Sequence, residues 1–385
     1  MAKTNKLTDM AIMDDKDENI VLFYPNVPPN AHEAIKEVLK TRWIGQGPKV
    51  EEFEKQFSNR FGSNRPSVAV GSGTDALHLA YILSGLKPGD EVIAPVFTCT
   101  ATNIPFLYMG VKIRFADVDP DTLNININDV ERLVNEKTKA IVCVHYGGLP
   151  CDMDELQQIA NKYNIPIIED AAHALGATYK SKLIGSISEF TMYSFQAIKH
   201  ITTGDGGMLI LSNEELLEKA LRIRWFGIDR RAKQGGIWEH DISDIGYKYQ
   251  MTDISAALGL VALEDFDEKL EYRKKLFSIY EKELSNMDRL KFVGGGLNDR
   301  THAAWLCTVI AENREKLQIK LRDNNIESGQ VHFRNDRYDI FKDHIEDCSF
   351  PHMDNIEQNY LVLPLHNKVS VENVYKVCEI IRSGW

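Results

Sequence analysis

Lys199 closes a short apolar run and opens a polar, glycine-rich loop. The stretch reads Glu189-Phe-Thr-Met-Tyr-Ser-Phe-Gln-Ala-Ile-Lys-His-Ile-Thr-Thr-Gly-Asp-Gly-Gly207, and a second apolar run, Met208 to Leu211, follows it. Two short strands around such a loop suit a buried sheet with a site at its edge. An amine held between apolar strands loses hydration, which disfavours the ammonium form and frees its lone pair. A neutral lysine amine forms imines with carbonyl compounds, pyridoxal phosphate (PLP) among them. On this stretch alone, a solvated lysine on a hairpin loop fits as well.

Two further constellations stand at strand ends. Val70-Gly-Ser-Gly-Thr-Asp-Ala76 follows an apolar run and opens a helical pattern. It matches GxGxxA, and Asp90 lies near the spacing of a ribose ligand, so a dinucleotide-binding oxidoreductase has to be weighed. Against it, Asp90 belongs to a Pro-Gly-Asp turn and two helical patterns precede the motif. What both readings share is a phosphate cup: Gly73 lets the backbone close in, Thr74 offers a hydroxyl, and the helix start supplies free N–H groups. Ile165-Pro-Ile-Ile-Glu-Asp170-Ala-Ala-His173 places an acid at the carboxyl end of a buried strand, where open α/β sheets keep their ligands. Asp170 there could pair with a protonated pyridine nitrogen, or merely cap the next turn. Ser194, five residues before Lys199, could share a phosphate with Thr74.

The elements that must position these residues alternate. Helices are expected over Ala31–Lys40, Val50–Phe61, Thr74–Leu83, Thr100–Met109, Asn128–Leu133 and Asp152–Tyr163. Strands are expected over Ser67–Val70, Glu91–Ala94, Lys112–Ala116, Ala140–Val144 and Ile165–Ile168. Nearly continuous apolar strands separated by helices predict a mostly parallel sheet covered on both faces. From about Thr252 the texture changes: Asp253–Tyr280 reads as one long charged helix, followed by mixed, shorter elements. The division predicted is a tail (1–24), a large α/β part (25–260) and a smaller α+β C-terminal part (261–385), within the length of a 385-residue chain.

Composition narrows the class. A net charge of −11 with no Lys/Arg cluster argues against nucleic acid as a partner. No run of about 18 apolar residues is present, so no membrane span is expected. Met1–Asn19 is polar and acid-rich, the pattern of a loose tail rather than of a signal segment. Six scattered cysteines without CxxC fit reduced thiols and a cytoplasmic location. Cys143-x-His145 with Cys151 could hold a metal, but apolar neighbours favour packing, and no metal is expected.

Six ordered blocks make the sequence resemble the sugar aminotransferases of the DegT/DnrJ/EryC1/StrS family. They are Trp43-Ile-Gly-Gln-Gly-Pro-Lys-Val, Gly71-Ser-Gly-Thr-Asp-Ala-Leu-His-Leu-Ala, Pro88-Gly-Asp-Glu-Val-Ile-Ala-Pro, Phe115-Ala-Asp-Val-Asp, Glu169-Asp-Ala-Ala-His and the block from Ser194 to Gly207. The resemblance implies the type I PLP-dependent transferase (aspartate aminotransferase) fold. It implies that Lys199 carries PLP as an internal aldimine and that Asp170 meets the ring nitrogen. Gly73, Thr74 and Ser194 would hold the phosphate, and His173 would contact the ring hydroxyl. Two positions depart from the family pattern. Cys99 in Pro95-Val-Phe-Thr-Cys stands where an aromatic ring usually stacks on PLP, and sulfur packs on a π face with less area. Lys248 in Gly246-Tyr-Lys-Tyr-Gln-Met stands where an asparagine reaches the phosphate of the neighbouring subunit; a lysine could replace it as a point charge.

The reaction implied is transamination of a nucleotide-linked keto sugar, with L-glutamate as donor, in a homodimer with shared sites. Thr202-Thr-Gly-Asp resembles the branch acting on 4-keto-6-deoxyhexoses, as perosamine synthases do. A 3-keto sugar, an 8-keto-octulosonate and a non-catalytic PLP-binding regulator are the other readings. Relatives that dehydrate sugars carry histidine in place of the lysine; Lys199 speaks against that, since His200 is one position out of register. Trp43, His332 and Arg334 are candidate sugar or nucleotide contacts, with packing or surface roles equally compatible.

Overall fold

The computed structural model describes residues 12–16, 18–239, 241–345 and 348–385. Much of the loose tail expected over Met1–Asn19 lies outside them. From Ile20 to Leu22 the chain is buried: Ile20 bridges Ile326, and the Leu22 amide donates to Glu327 Oε2 at 2.9 Å.

Helices α1 (Ala31–Leu39) and α2 (Pro48–Phe61) precede β1 (Ser67–Val70) and α3 (Gly73–Leu83). Then come β2 (Glu91–Pro95), α4 (Thr100–Met109), β3 (Lys112–Ala116), α5 (Ile127–Leu133), β4 (Thr138–Val144), α6 (Met153–Tyr163) and β5 (Ile167–Asp170). A small hairpin, β6 (Thr178–Tyr179) and β7 (Lys182–Leu183), leads to β8 (Phe190–Ser194), β9 (Gly207–Leu211), α7 (Glu214–Ile223) and α8 (Arg230–Gln234). The C-terminal third holds α9 (Asp253–Glu264), α10 (Phe266–Leu284), β10 (Leu290–Phe292), β11 (Arg300–Thr301), β12 (Cys307–Ala311), α11 (Arg314–Asp323), α12 (Pro351–Ile356), β13 (Tyr360–Leu363) and α13 (Val371–Arg382).

Seven strands form the central sheet in the order β1-β9-β8-β5-β4-β2-β3. Strands β3, β2, β4, β5 and β8 pair in parallel; β9 is antiparallel to both β8 and β1. It follows that β1 points the same way as β8, and the ends of β1, β5 and β8 share one edge. Alternate residues go to opposite faces: Val92, Val142, Ile168 and Met192 join one apolar cluster, Ile93, Ile141, Ile167 and Tyr193 the other. Burial on both faces is why these strands are apolar without a polar alternation. A second sheet, β10-β12-β13, packs with α10, α11 and α13 around its own apolar cluster.

The structure corrects two expected elements. The single charged helix over Asp253–Tyr280 is two helices that meet at Asp265. The first is largely buried, with Ala256, Leu260 and Leu263 in the core, so its texture is apolar. The break lets Phe266 turn in against Phe61, ring centroids 5.1 Å apart, while Arg60 takes the Leu263 carbonyl. Strand β5 begins at Ile167 rather than Ile165 and runs on to Asp170, because its pairing with β4 starts at Ile141–Ile167 and ends at Val144–Asp170.

Candidate active site

Lys199 lies just past the carboxyl end of β8. Its loop is pinned at the neck: the Phe195 amide donates to Gly206 O (2.8 Å) and the Thr203 amide to Phe195 O (3.0 Å). The His200 Nε2–H donates to Ala303 O at 2.7 Å, so the next side chain turns inward and is no competitor for the lysine's place. The Lys199 Nζ sits 3.7 Å from the centroid of the Trp305 ring, and Trp305 Nε1 donates back to Ile198 O at 3.2 Å. Burial lowers the amine to about 8 from an ordinary 10.5, with Asp170 and Cys99 pulling the other way. This is an amine with a usable lone pair near neutral pH.

Asp170, the last residue of β5, is almost wholly buried. Thr102 Oγ1 donates to its Oδ2 at 2.7 Å, and the Ala172 amide donates to Oδ1 at 3.1 Å. Thr102 lies 2.9 Å from Thr98 Oγ1, so two hydroxyls at the start of α4 orient the carboxyl. Burial raises the Asp170 pKa, and Thr102, Ala172 and Lys199 oppose the rise. A desolvated acid of this kind favours a nearby cation that can share its proton.

At the β1 end of the same edge, α3 presents its N-terminus. Ser72 caps the Asp75 amide at 3.0 Å, leaving the Gly73 and Thr74 amides without intrahelical partners. Gly73 touches β8 so closely that a Cβ there would stand 3.2 Å from Ser194 Oγ. Gly207 is tighter still, since a Cβ would meet Ser72 O at 2.4 Å. Glycine at both positions lets β8, β9 and the helix start converge on a cup for an anion.

A column of rings walls the other side. His173 stacks on Trp305 with centroids 3.8 Å apart, and His332 lies parallel to His173 at 5.4 Å. His173 Nδ1 accepts the Gly147 amide at 3.3 Å, which leaves the proton on Nε2 as an available donor. Burial holds His173 well below its ordinary pKa and brings His332 to about 3, so both rings are neutral. His332 Nε2 is buried without a hydrogen-bond partner among the described residues.

Lys199, Asp170, His173, Cys99 and His332 are thus brought together, and Gly73, Thr74 and Ser194 stand along the same edge. Three further candidate residues have other surroundings within the single chain. Arg334 is buried in an ion cluster: Asp336 takes Nε at 2.7 Å and Nη2 at 2.9 Å, while Asp354 (2.5 Å) and Glu357 (3.2 Å) take Nη1. Three acids engage its donors, an arrangement that fits the packing role the sequence left open. Trp43 lines a cavity of about 400 Å³ with Arg42, Trp225 and Arg230, and is not among the groups around Lys199. Lys248 is exposed, its ammonium 5.5 Å from the Phe226 ring centroid. Cys143, His145 and Cys151 do converge within 4.8 Å. Both ring nitrogens are in use, however: Nδ1 accepts the Cys151 amide (3.1 Å) and Nε2 donates to Glu169 (2.9 Å), so His145 offers no lone pair to an ion.

Sequence reasoning passed over Trp305, Thr98 and Thr102. Trp305 stands in Ala303-Ala-Trp-Leu, where its one signal is a large aromatic beside small residues.

The sequence matches the profile of the DegT/DnrJ/EryC1/StrS aminotransferase family over residues 27–382. The chain belongs to this family. A GDP-perosamine synthase of Escherichia coli O157:H7 is 33% identical over 366 residues, 94% of this chain and 97% of that protein. The crystal structure of sugar aminotransferase CalS13 from Micromonospora echinospora superposes with a TM-score of 0.90 at 30% identity, covering 95% of this chain and 100% of that one. The PLP form of Spr1654 from Streptococcus pneumoniae does so with a TM-score of 0.87 at 29% identity, covering 95% and 98%. The family member described here is a PLP-dependent sugar aminotransferase with the type I fold. Its residues suit that cofactor: a desolvated amine, a buried acid and a glycine-tight helix start.

Proposed function

We propose that the enzyme moves an amino group from L-glutamate to a nucleotide-linked 4-keto-6-deoxyhexose. The observation that carries the chemistry is the Lys199 amine, lowered to about 8 on the Trp305 face and coupled to Asp170. The choice of sugar rests on the GDP-perosamine synthases among the relatives, one of which is 33% identical over 94% of this chain.

PLP, when bound, supplies an electron sink for negative charge at the amine-bearing carbon. Lys199 then works as base and acid at that carbon, since a group of pKa near 8 both takes and returns a proton at neutral pH. Asp170, held in line by Thr102 and the Ala172 amide, would keep a proton at the pyridine nitrogen. His173, its Nδ1 taken by the Gly147 amide, would offer its Nε2–H to the ring hydroxyl. Gly73, Thr74 and Ser194 would hold the phosphate, and Cys99 would offer its sulfur to the ring. His332 contributes its unpaired Nε2 to a hydroxyl of the sugar.

The site residues come from a large part (25–260), closed by Trp305 and His332 from a smaller part (261–385). We assign Lys248 to the phosphate of a second copy in a homodimer. Its surroundings support this: Phe226, Ile237, Trp238, Ile242 and Ile245 are large apolar side chains left exposed nearby in sequence. Trp43 and its arginine-lined cavity are assigned to the nucleotide side of the substrate. Unpaired cysteines suit the cytoplasm, where we place the reaction. The test is direct. Purified enzyme with PLP, L-glutamate and a GDP-linked 4-keto-6-deoxyhexose should yield the amino sugar by mass. Turnover of a 3-keto isomer instead would reassign the substrate.

A further inference from the structure

The loop between β4 and α6 props two walls of the site. The Gly147 amide donates to His173 Nδ1 at 3.3 Å, and Gly147 O accepts the amides of Trp305 and Leu306, each at 3.0 Å. Gly148 O accepts the Ala303 amide at 2.8 Å. The loop begins beside Cys143, on β4, and ends at Cys151. Both cysteines are wholly buried, and their sulfurs lie within 4.8 Å of each other and of His145. Nothing in the transamination chemistry uses them.

The surroundings leave the pair one kind of chemistry. His145 is committed to the Cys151 amide and Glu169, so metal binding by the trio is disfavoured. Cys151 Sγ donates to Val144 O at 3.2 Å, a weak bond whose loss costs little. Gly147 and Gly148 have φ of +63° and +104°, so the segment joining the two cysteines turns through backbone that favours glycine. Cys143 pairs in register with Glu169, and Val144 with Asp170. A cross-link at this place therefore ties the strand beside Asp170 to the loop that seats His173 and Trp305.

We propose that Cys143 and Cys151 are a redox-convertible pair whose disulfide shifts the loop holding His173 and Trp305 and thereby slows the enzyme. The oxidant is a hydroperoxide such as hydrogen peroxide. One thiol takes an oxygen from it and becomes a sulfenic acid, releasing water. The second sulfur displaces that hydroxyl, forms the S–S bond and releases a second water, its proton leaving with the hydroxyl. Two electrons pass from the sulfurs to the peroxide, and a dithiol reductant reverses the change.

Sequence provides a clean readout. Cleavage after Lys139 and Lys162 releases a fragment whose only cysteines are Cys143 and Cys151. PLP-loaded enzyme is incubated with hydrogen peroxide for hours, denatured, alkylated with iodoacetamide and digested with trypsin. The proposal expects this fragment to lack both alkyl groups and to be lighter than the dithiol form by about 2 Da. Bleaching of the cofactor absorbance by an amino donor should slow several-fold, and both changes should reverse with dithiothreitol. The Cys143→Ala enzyme, with no partner for Cys151, should keep its rate through the same treatment. Recovery of the fragment doubly alkylated overturns the proposal, as does a fragment that closes without any change in rate. Equal slowing of Cys143→Ala assigns the sensitivity to another thiol, such as exposed Cys99, and also overturns it.

Discussion

Capture of PLP by the apoenzyme should follow the titration of Lys199. Burial takes its pKa from 10.5 to about 8 against the pull of Asp170 and Cys99. That drop corresponds to about 3 kcal/mol of preference for the neutral amine. At pH 7.5 an unshifted lysine is neutral in about 0.1% of molecules, and one of pKa 8 in about a quarter, a gain of about 200-fold. The sign follows from which form reacts: below pH 8 the ammonium dominates and capture slows, and above it the amine is free. Apoenzyme mixed with PLP in a stopped-flow spectrometer between pH 7 and 10 should show a second-order rate that rises with a midpoint near 8 and flattens beyond about 9. N-α-acetyl-lysine, run alongside, should keep rising. A rate for the enzyme that climbs in parallel with this free lysine to pH 10 would refute the desolvation argument.

Other expectations follow from single contacts. Asp170→Asn should still bind PLP, since the cup at Gly73, Thr74 and Ser194 is untouched, yet lose about a hundredfold or more in turnover; near-normal turnover would reduce Asp170 to a cap. Arg334→Ala leaves the largely buried Asp336 carboxylate without its cation, while Glu357 keeps Arg337, and should cost about 3 kcal/mol in denaturant unfolding, with KM unchanged; a raised KM at unchanged stability would return Arg334 to the substrate. Mixed Lys199→Ala and Lys248→Ala chains should regain activity, because one site of the mixed dimer receives both lysines. If subunit exchange is shown by mass and activity stays flat, Lys248 acts within its own chain.

The alternation of apolar strands and amphipathic helices was legible because each element buries one pattern on one surface, and Ser67–Val70, Thr100–Met109 and Lys112–Ala116 match residue for residue. The break at Asp265 was not, since nothing local interrupts the helical spacing there; the turn exists to bury Phe266 against Phe61. Asp170 and Lys199 were readable as chemistry because an acid and an amine at strand ends are expensive unless used. Thr102 was hidden inside a helix start and Trp305 in an irregular stretch more than a hundred residues away, joined to Lys199 by folding alone. Arg334 stayed open between a substrate contact and a packing role, for the opposite reason. Its partners Asp354 and Glu357 lie 20 and 23 residues on in the chain, where no local pattern shows the pairing.

The central claim is that Lys199 is the amine that engages PLP. Holoenzyme reduced with sodium borohydride and digested should carry the pyridoxyl label on Lys199, and the Lys199→Ala chain should carry none and transfer no amino group. Label retained in the alanine variant, or found on another lysine of the wild-type chain, would contradict it.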